Sequence, residues 1–186
     1  RDILLYLHKI NTSLSKVKTK LYPQGLLDYE KARVLSESEG GGFTPYLDVF
    51  FKLQEEAQIK LIQDYPEVSQ LKQLRLKEKA IDFALANREQ GELYRSISQK
   101  GAKEEINHII EASKRSKNLQ ISQYSLLTRV FTLAKKYGID SNNYKELGKY
   151  YDYLKAFTEL KLNPLLEQIE RLEDEFYKIL LIEEDT

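Results

Sequence analysis

The stretch LNPLLEQIERLEDEFYKILLI, residues 162–182, decides the fold class of this chain. Five of its apolar residues recur four and three positions apart, the spacing of one face of an amphipathic helix: Leu165, Ile169, Leu172, Phe176 and Ile179. Three leucines widen that face: Leu162, Leu166 and Leu180. A wide apolar face needs several neighbouring helices, and the repeat is shorter than the roughly three to four heptads of a coiled coil. We therefore predict that this face is intramolecular core.

The beginning of the chain repeats this spacing. Its apolar residues are again four and three positions apart: Ile3, Leu7, Ile10, Leu14, Val17 and Leu21. Pro23 and Gly25 then end the helical pattern. Because the two regular segments lie at opposite ends of the chain, we expect the first and last helices to pack together.

The segments between these ends also carry helical periodicity, separated by turn residues. We expect one helix over residues 44–65 and another over residues 67–98, bent or broken at Gly91. Gly101 separates the next helix, and Gly138 fits the left-handed position that ends a later one. Period-two alternation is almost absent, so strands are not expected. The predicted fold class is all-α, a helical bundle of roughly six to eight amphipathic helices with short connections.

The domain prediction is a single helical domain over residues 1–186. One variant of it is a looser N-terminal helical pair, residues 1–39, joined to the rest by the linker of Gly40, Gly41 and Gly42. A phosphate-binding loop is not favoured at these glycines. No strand is predicted before them, and no lysine followed by serine or threonine comes after them.

Composition excludes several classes of function. The 29 basic and 29 acidic residues balance, which gives no general attraction to nucleic acid or anionic lipid. The absence of cysteine excludes disulfides and thiolate chemistry but does not fix a compartment, cytoplasmic or extracytoplasmic. No run reaches about 18 apolar residues, so a soluble protein without a transmembrane segment is predicted. The absence of methionine indicates a trimmed piece of a longer protein or a sequence lacking its modified residues.

Glu105 and His108 form the one candidate metal motif. The E-x-x-H spacing places a carboxylate and an imidazole on one helical face, as in carboxylate-bridged di-metal bundles. Those bundles need a second such motif and two further glutamates. His8, the other histidine, has Leu4 and Leu5 where the second glutamate would be needed. We therefore predict no metal site, no cofactor and no catalytic residue.

The tyrosines are the best lead to a function. The chain has 13 tyrosines and no tryptophan, and one region is crowded with them. Tyrosine is favoured at interfaces because it adds contact area and a hydrogen-bonding tip at small entropic cost. The predicted interaction surface is Tyr144, Tyr150, Tyr151 and Tyr153. The competing interpretation is an amphipathic belt at the rim of an ordinary core.

The leading functional hypothesis is a non-enzymatic structural or protein-interaction module, with a partner and an oligomeric state that the sequence does not identify. The alternative is a carboxylate-rich metal-binding bundle or enzyme using Glu105 and His108. The third is a nucleic-acid-binding module using Lys114, Arg115 and Lys117. That basic run is short and has no interleaved aromatics, so a solvated helix end explains it better.

Overall fold

The computed structural model describes residues 2–37, 43–114 and 119–182. Five α-helices come first: α1 (Asp2–Leu21), α2 (Gln24–Glu37), α3 (Phe43–Glu56), the single turn α4 (Leu61–Asp64) and α5 (Pro66–Lys79). Five follow: α6 (Phe83–Ile97), α7 (Lys103–Lys114), α8 (Leu119–Lys136), α9 (Lys145–Glu159) and α10 (Leu162–Ile182). The described residues contain no strand, which confirms the all-α class. The predicted linker of three glycines lies outside them.

The helix predicted over residues 44–65 is divided at a turn that the buried side chain of Gln54 stabilises. α3 ends at Glu56, and Gln58 takes a left-handed conformation with φ of 54°. The side-chain amide of Gln54 donates a hydrogen bond to the Ile59 backbone carbonyl. The Ile59 backbone N–H donates in return to the backbone carbonyl of Gln54, at 3.2 Å. These two bonds close the turn, so the single helix expected here was wrong.

The helix predicted over residues 67–98 is also divided, but not at Gly91. Gly91 lies within the continuous helix α6. The break falls between Lys79 and Phe83, where the Asp82 carboxylate accepts a hydrogen bond from the Leu85 N–H at 2.9 Å. Asp82 is therefore the N-cap of a new helix.

Two glycines end helices as predicted. Gly101 has φ of 96° and separates α6 from α7, while Gly138 has φ of 66° and follows α8. After Gly138, the Ile139 N–H donates to the Ala134 carbonyl at 2.8 Å, and the Ile139 side chain packs against the core. This is the left-handed helix ending expected from the sequence.

The chain forms two compact units. The first unit comprises Arg1–Val68 and Asn163–Thr186, and the second comprises Ser69–Leu162. The single-domain organisation stays a prediction.

In the first unit, the core contains aromatic and aliphatic side chains from α2, α3 and α10: Leu26, Tyr29, Leu47, Phe50, Leu53, Leu172 and Phe176. Leu165 and Ile169 are buried as well, so most of the predicted seam of α10 is core. Leu162 and Leu166 are exposed, so that part of the predicted face was wrong.

Polar side chains of α10 make specific bonds within the first unit. Glu173 accepts hydrogen bonds from the hydroxyls of Tyr29 and Tyr46, the latter at 2.9 Å. Burial, followed by the bond to Glu173, raises the pKa of Tyr29 far above its usual value, so this hydroxyl stays protonated. The side-chain oxygen Oε1 of Gln168 accepts hydrogen bonds from the backbone N–H groups of Glu67 and Val68, at 2.9 and 3.3 Å. It thereby caps the first turn of α5.

In the described part of the apolar stripe of α1, Ile10 is partly buried but the remaining residues are exposed. Leu14, Val17 and Leu21 are exposed, although the sequence predicted that they pack against the last helix. The contacts of α1 come instead from its polar side: Lys18 pairs with Glu30 at 2.5 Å. The side chains of residues 2–9 lie outside the description, and the packing predicted for Ile3 and Leu7 falls there.

The core of the second unit lies among α6, α7, α8 and α9. Its fully buried side chains are aliphatic: Leu93, Ile97, Ile106, Leu127, Val130, Leu147 and Leu154. The predicted stripe of α7 contributes Ile106 to this core, with Ile109 and Ile110 partly buried beside it. Tyrosines and one phenylalanine surround the core as a partly buried layer.

Candidate functional site

Two glutamates fix the position of α9 against α6, the two helices that form the candidate site. The Glu89 carboxylate accepts from the Leu147 N–H at 2.8 Å, in the first turn of α9. The Glu146 carboxylate accepts from the Asp82 N–H at 3.0 Å, at the start of α6. Each helix thus supplies a negative group to the positive N-terminal end of the other.

Lys149 strengthens this junction. Its ammonium pairs with Glu146 at 2.6 Å and donates to the Ala80 carbonyl at 3.5 Å. The bond from Lys149, followed by the one from the Asp82 N–H, lowers the pKa of Glu146, so this carboxyl stays ionised at neutral pH. The corner between α5 and α6 is therefore held against the first turns of α9.

An aromatic patch forms at this junction from Phe83, Tyr150 and Tyr153. The Phe83 ring meets the Tyr150 ring edge to face, with centroids 5.7 Å apart. Tyr150 and Tyr153 lie nearly parallel, 6.4 Å between centroids. The Phe83 side chain is 44% exposed, while both tyrosines are half-buried against the core. The three rings form one aromatic surface, and the Phe83 ring of that surface is exposed to solvent.

The surroundings of the patch are charged. Arg75 and Glu78 form an ion pair on α5, and both influence the ionisation of Tyr153. Burial, followed by the negative charge of Glu78, raises the pKa of Tyr153, and burial raises the pKa of Tyr150. Both hydroxyls are therefore neutral hydrogen-bonding groups at physiological pH.

Tyr151 lies in an open groove between α8 and α9 instead. Its ring stacks on Tyr124 at 5.4 Å and meets Phe131 edge to face at 5.2 Å. The groove has a volume of about 730 Å³. Two of its hydroxyls already donate to carbonyls of their own helix, from Thr128 at 2.8 Å and Thr132 at 2.7 Å. The lining of the groove also contains charged residues, Lys135, Asp140 and Asp152.

Tyr144 directly precedes α9, as its N-cap residue. Its hydroxyl lies 3.2 Å from the Ser96 hydroxyl of α6. The structure therefore brings together only Tyr150 and Tyr153 of the four tyrosines predicted as an interaction surface. It adds Phe83, which the sequence reasoning missed. The signal for Phe83 was Asp82, because an N-cap there would have placed a phenylalanine at the first position of a new helix.

Glu105 and His108 lie on α7 as expected, but Glu105 is already bonded. Its carboxylate accepts from the Tyr137 hydroxyl at 2.8 Å and pairs with Lys136 at 3.1 Å. The bond from Tyr137, followed by that from Lys136, lowers the pKa of Glu105. His108 is exposed. Across residues 2–37, 43–114 and 119–182, no group of three or more histidine, aspartate or glutamate residues could hold a metal ion.

The basic run proposed for nucleic acid falls outside the described residues. Arg115 and Lys117 lie there, together with the side chain of Lys114, the last residue of α7. Among the helices that the structure does describe, none is long and apolar enough to cross a membrane. Comparison of the chain with protein-family models, with curated proteins and with solved structures finds no match.

The metal hypothesis makes a direct prediction. We expect protein purified without chelator to contain no stoichiometric iron, manganese or zinc, because binding at Glu105 would have to displace Lys136 and Tyr137. Elemental analysis by mass spectrometry checks this, with Glu104→Ala as the matched control. Stoichiometric metal that is lost on His108→Ala but kept on Glu104→Ala would contradict the prediction and favour the metal-binding alternative.

Proposed function

We propose that this protein is a non-enzymatic helical module that binds a protein partner through the aromatic patch of Phe83, Tyr150 and Tyr153. The observation that carries the proposal is the contiguity of three aromatic rings, one of them an exposed phenylalanine. A single exposed apolar side chain is ordinary on a protein surface, whereas a contiguous aromatic surface marks an interaction site.

The patch has the composition of an interface centre. Aromatic residues and arginine are enriched at the centres of protein interfaces, and polar groups form the rim. Here Arg75 and Glu78 supply charged groups that act on the Tyr153 hydroxyl. This arrangement favours a partner with an apolar side chain that covers Phe83 and polar groups that reach the tyrosine hydroxyls.

The patch is also fixed before any partner binds. The caps from Glu89 and Glu146 hold α6 and α9 together, and both tyrosines are packed along one edge. Binding then orders few additional side chains, which reduces the entropic cost of association. The metal-binding alternative is less favoured, since the Glu105 carboxylate is already occupied, and the nucleic-acid alternative gains no support from the described residues.

Photo-crosslinking at position 83 tests the proposal. A benzophenone-bearing phenylalanine analogue replaces Phe83 in the full chain, and the protein is irradiated in its native cellular extract. We expect one predominant protein adduct, identified by mass spectrometry, because a specific partner covers this position. Tyr153→Ala in the same chain is expected to reduce the adduct by about tenfold, the effect of losing a contact residue worth more than 1 kcal/mol.

Phe43 is the matched control position, since its side chain is 57% exposed and belongs to the other compact unit. The same analogue at position 43 is expected not to capture this partner. Identical adducts from both positions, or an adduct at position 83 that Tyr153→Ala leaves unchanged, would reject the patch as the binding site. Circular dichroism of each variant confirms that the helices are retained.

A further inference from the structure

The second half of α1 carries an exposed apolar stripe. Leu14, Val17 and Leu21 are 52%, 50% and 58% exposed, and they are spaced three and four residues apart along one helical face. This is the spacing of the contact positions of a coiled coil. The stripe therefore presents a regular apolar seam that the described residues leave open.

Contacts on another side of α1 fix this orientation. Lys18 pairs with Glu30 of α2 and lies 5.5 Å from the centre of the Tyr22 ring. Tyr22, directly after α1, meets Tyr177 of α10 edge to face at 6.2 Å. The Tyr177 hydroxyl in turn donates to Glu30 at 2.8 Å. These bonds hold the helix to the first unit while the stripe stays accessible.

The charged residues in the second half of α1 itself have one sign. Residues 10–21 contain Lys16, Lys18 and Lys20 and no acidic residue. With Leu14, Val17 and Leu21 as the seam, Lys18 and Lys20 occupy the flanking positions whose charges select the partner in a coiled coil. Glu30 offsets the charge of Lys18, so Lys16 and Lys20 dominate the potential along this helix.

We propose that the α1 stripe binds an amphipathic helix of a partner protein that has leucines on its seam and acidic residues beside it. A second copy of α1 is disfavoured, because flanking lysines would face lysines. An anionic membrane is also disfavoured, because membrane-surface helices bury a wide apolar face, whereas this seam is narrow. This surface is independent of the aromatic patch and would be occupied whether or not the patch binds a partner.

A pair of synthetic helical peptides tests the proposal on the full chain. Both are about three heptads long with leucine at the seam positions, and one has glutamate beside the seam where the other has lysine. Fluorescence anisotropy measures binding of each labelled peptide. We expect the acidic peptide to bind at least about tenfold more tightly than the basic one, and its affinity to fall as salt increases.

Two variants locate the binding. Val17→Asp is expected to abolish binding of the acidic peptide, whereas Leu166→Asp, at another exposed apolar site, leaves it unchanged. The double variant Lys16→Glu with Lys20→Glu keeps the seam and is expected to reverse the peptide preference. This second variant decides the question even where Val17→Asp disturbs the fold.

Several outcomes would overturn the proposal: binding of neither peptide, equal binding of both, or binding that survives Val17→Asp in a folded protein. Self-association that Val17→Asp removes would also contradict the proposal. So would binding to anionic phosphatidylserine vesicles without binding to the acidic peptide. Loss of the crosslink at position 83 would not affect peptide binding to the α1 stripe. The two proposed binding surfaces are therefore tested separately.

Discussion

Phe50→Ala is expected to lower the free energy of unfolding by about 3–5 kcal/mol. Phe50 has no solvent exposure. Its ring meets those of Tyr29, Tyr46, Phe51 and Phe176, with centroids 5.3–6.3 Å apart. Truncation removes the buried ring, leaves a cavity and loses these aromatic contacts, which are stabilising beyond their buried area.

Phe43→Ala is the matched control on the same helix. Its exposed ring stacks on Tyr46 at 5.5 Å but fills no core space, so the expected loss is at most about 1 kcal/mol. Urea denaturation followed by circular dichroism measures both variants. Equal losses for Phe43→Ala and Phe50→Ala would mean that α3 does not contribute its Phe50 face to the core.

Leu172→Ala is expected to cost about 2–5 kcal/mol, because Leu172 is fully buried on the seam of α10. Leu166, on the same helix, is 51% exposed. Leu166→Ala removes the same atoms with little change in burial, so it should stay within about 0.5 kcal/mol of the wild type. The comparison separates burial from the helical preference of the residue, which is identical in the two substitutions.

Protein concentration distinguishes core from a dimer seam on α10. For a core seam, the unfolding midpoint of the wild type is independent of concentration, and Leu172→Ala lowers it equally at every concentration. A seam between two copies would give a wild-type midpoint that rises with concentration, and Leu172→Ala would remove that dependence. The second pattern would show that the α10 seam is a partner surface.

Periodicity identified which residues share a helical face but not which neighbours cover it. On α10 it predicted the buried Leu165, Ile169, Leu172 and Phe176, and it wrongly added Leu162 and Leu166. On α1 the same spacing predicted core, yet Leu14, Val17 and Leu21 are exposed. The burial of a face depends on tertiary contacts that the local spacing does not contain.

The helix boundaries show which local signals are decisive. The left-handed glycines Gly101 and Gly138 were predictable, since helix endings favour glycine in that conformation. Gly91 misled, because a glycine weakens a helix by only about 1 kcal/mol and tertiary packing offsets this. Asp82 is a cap signal that could have been read. The turn closed by Gln54 could not be predicted from the sequence, because glutamine has no special preference for closing a turn.

The candidate site was predicted in part. Tyr150 and Tyr153 were named from the crowding of tyrosines on α9, and the structure places them side by side. Their neighbour Phe83 is distant in sequence, and it reaches them because Glu89 and Glu146 cap helices far along the chain. Such long-range bonds between common polar residues leave no local pattern.

Affinity for the partner identified at position 83 is the most direct test of the central claim, that the aromatic patch binds a protein. Isothermal titration calorimetry with the purified partner compares wild type, Phe83→Ala and the exposed control Phe43→Ala. We expect Phe83→Ala to weaken binding by about 30-fold, the loss of a central contact worth about 2 kcal/mol, and Phe43→Ala to leave it unchanged. Equal dissociation constants for wild type and Phe83→Ala would contradict the central claim.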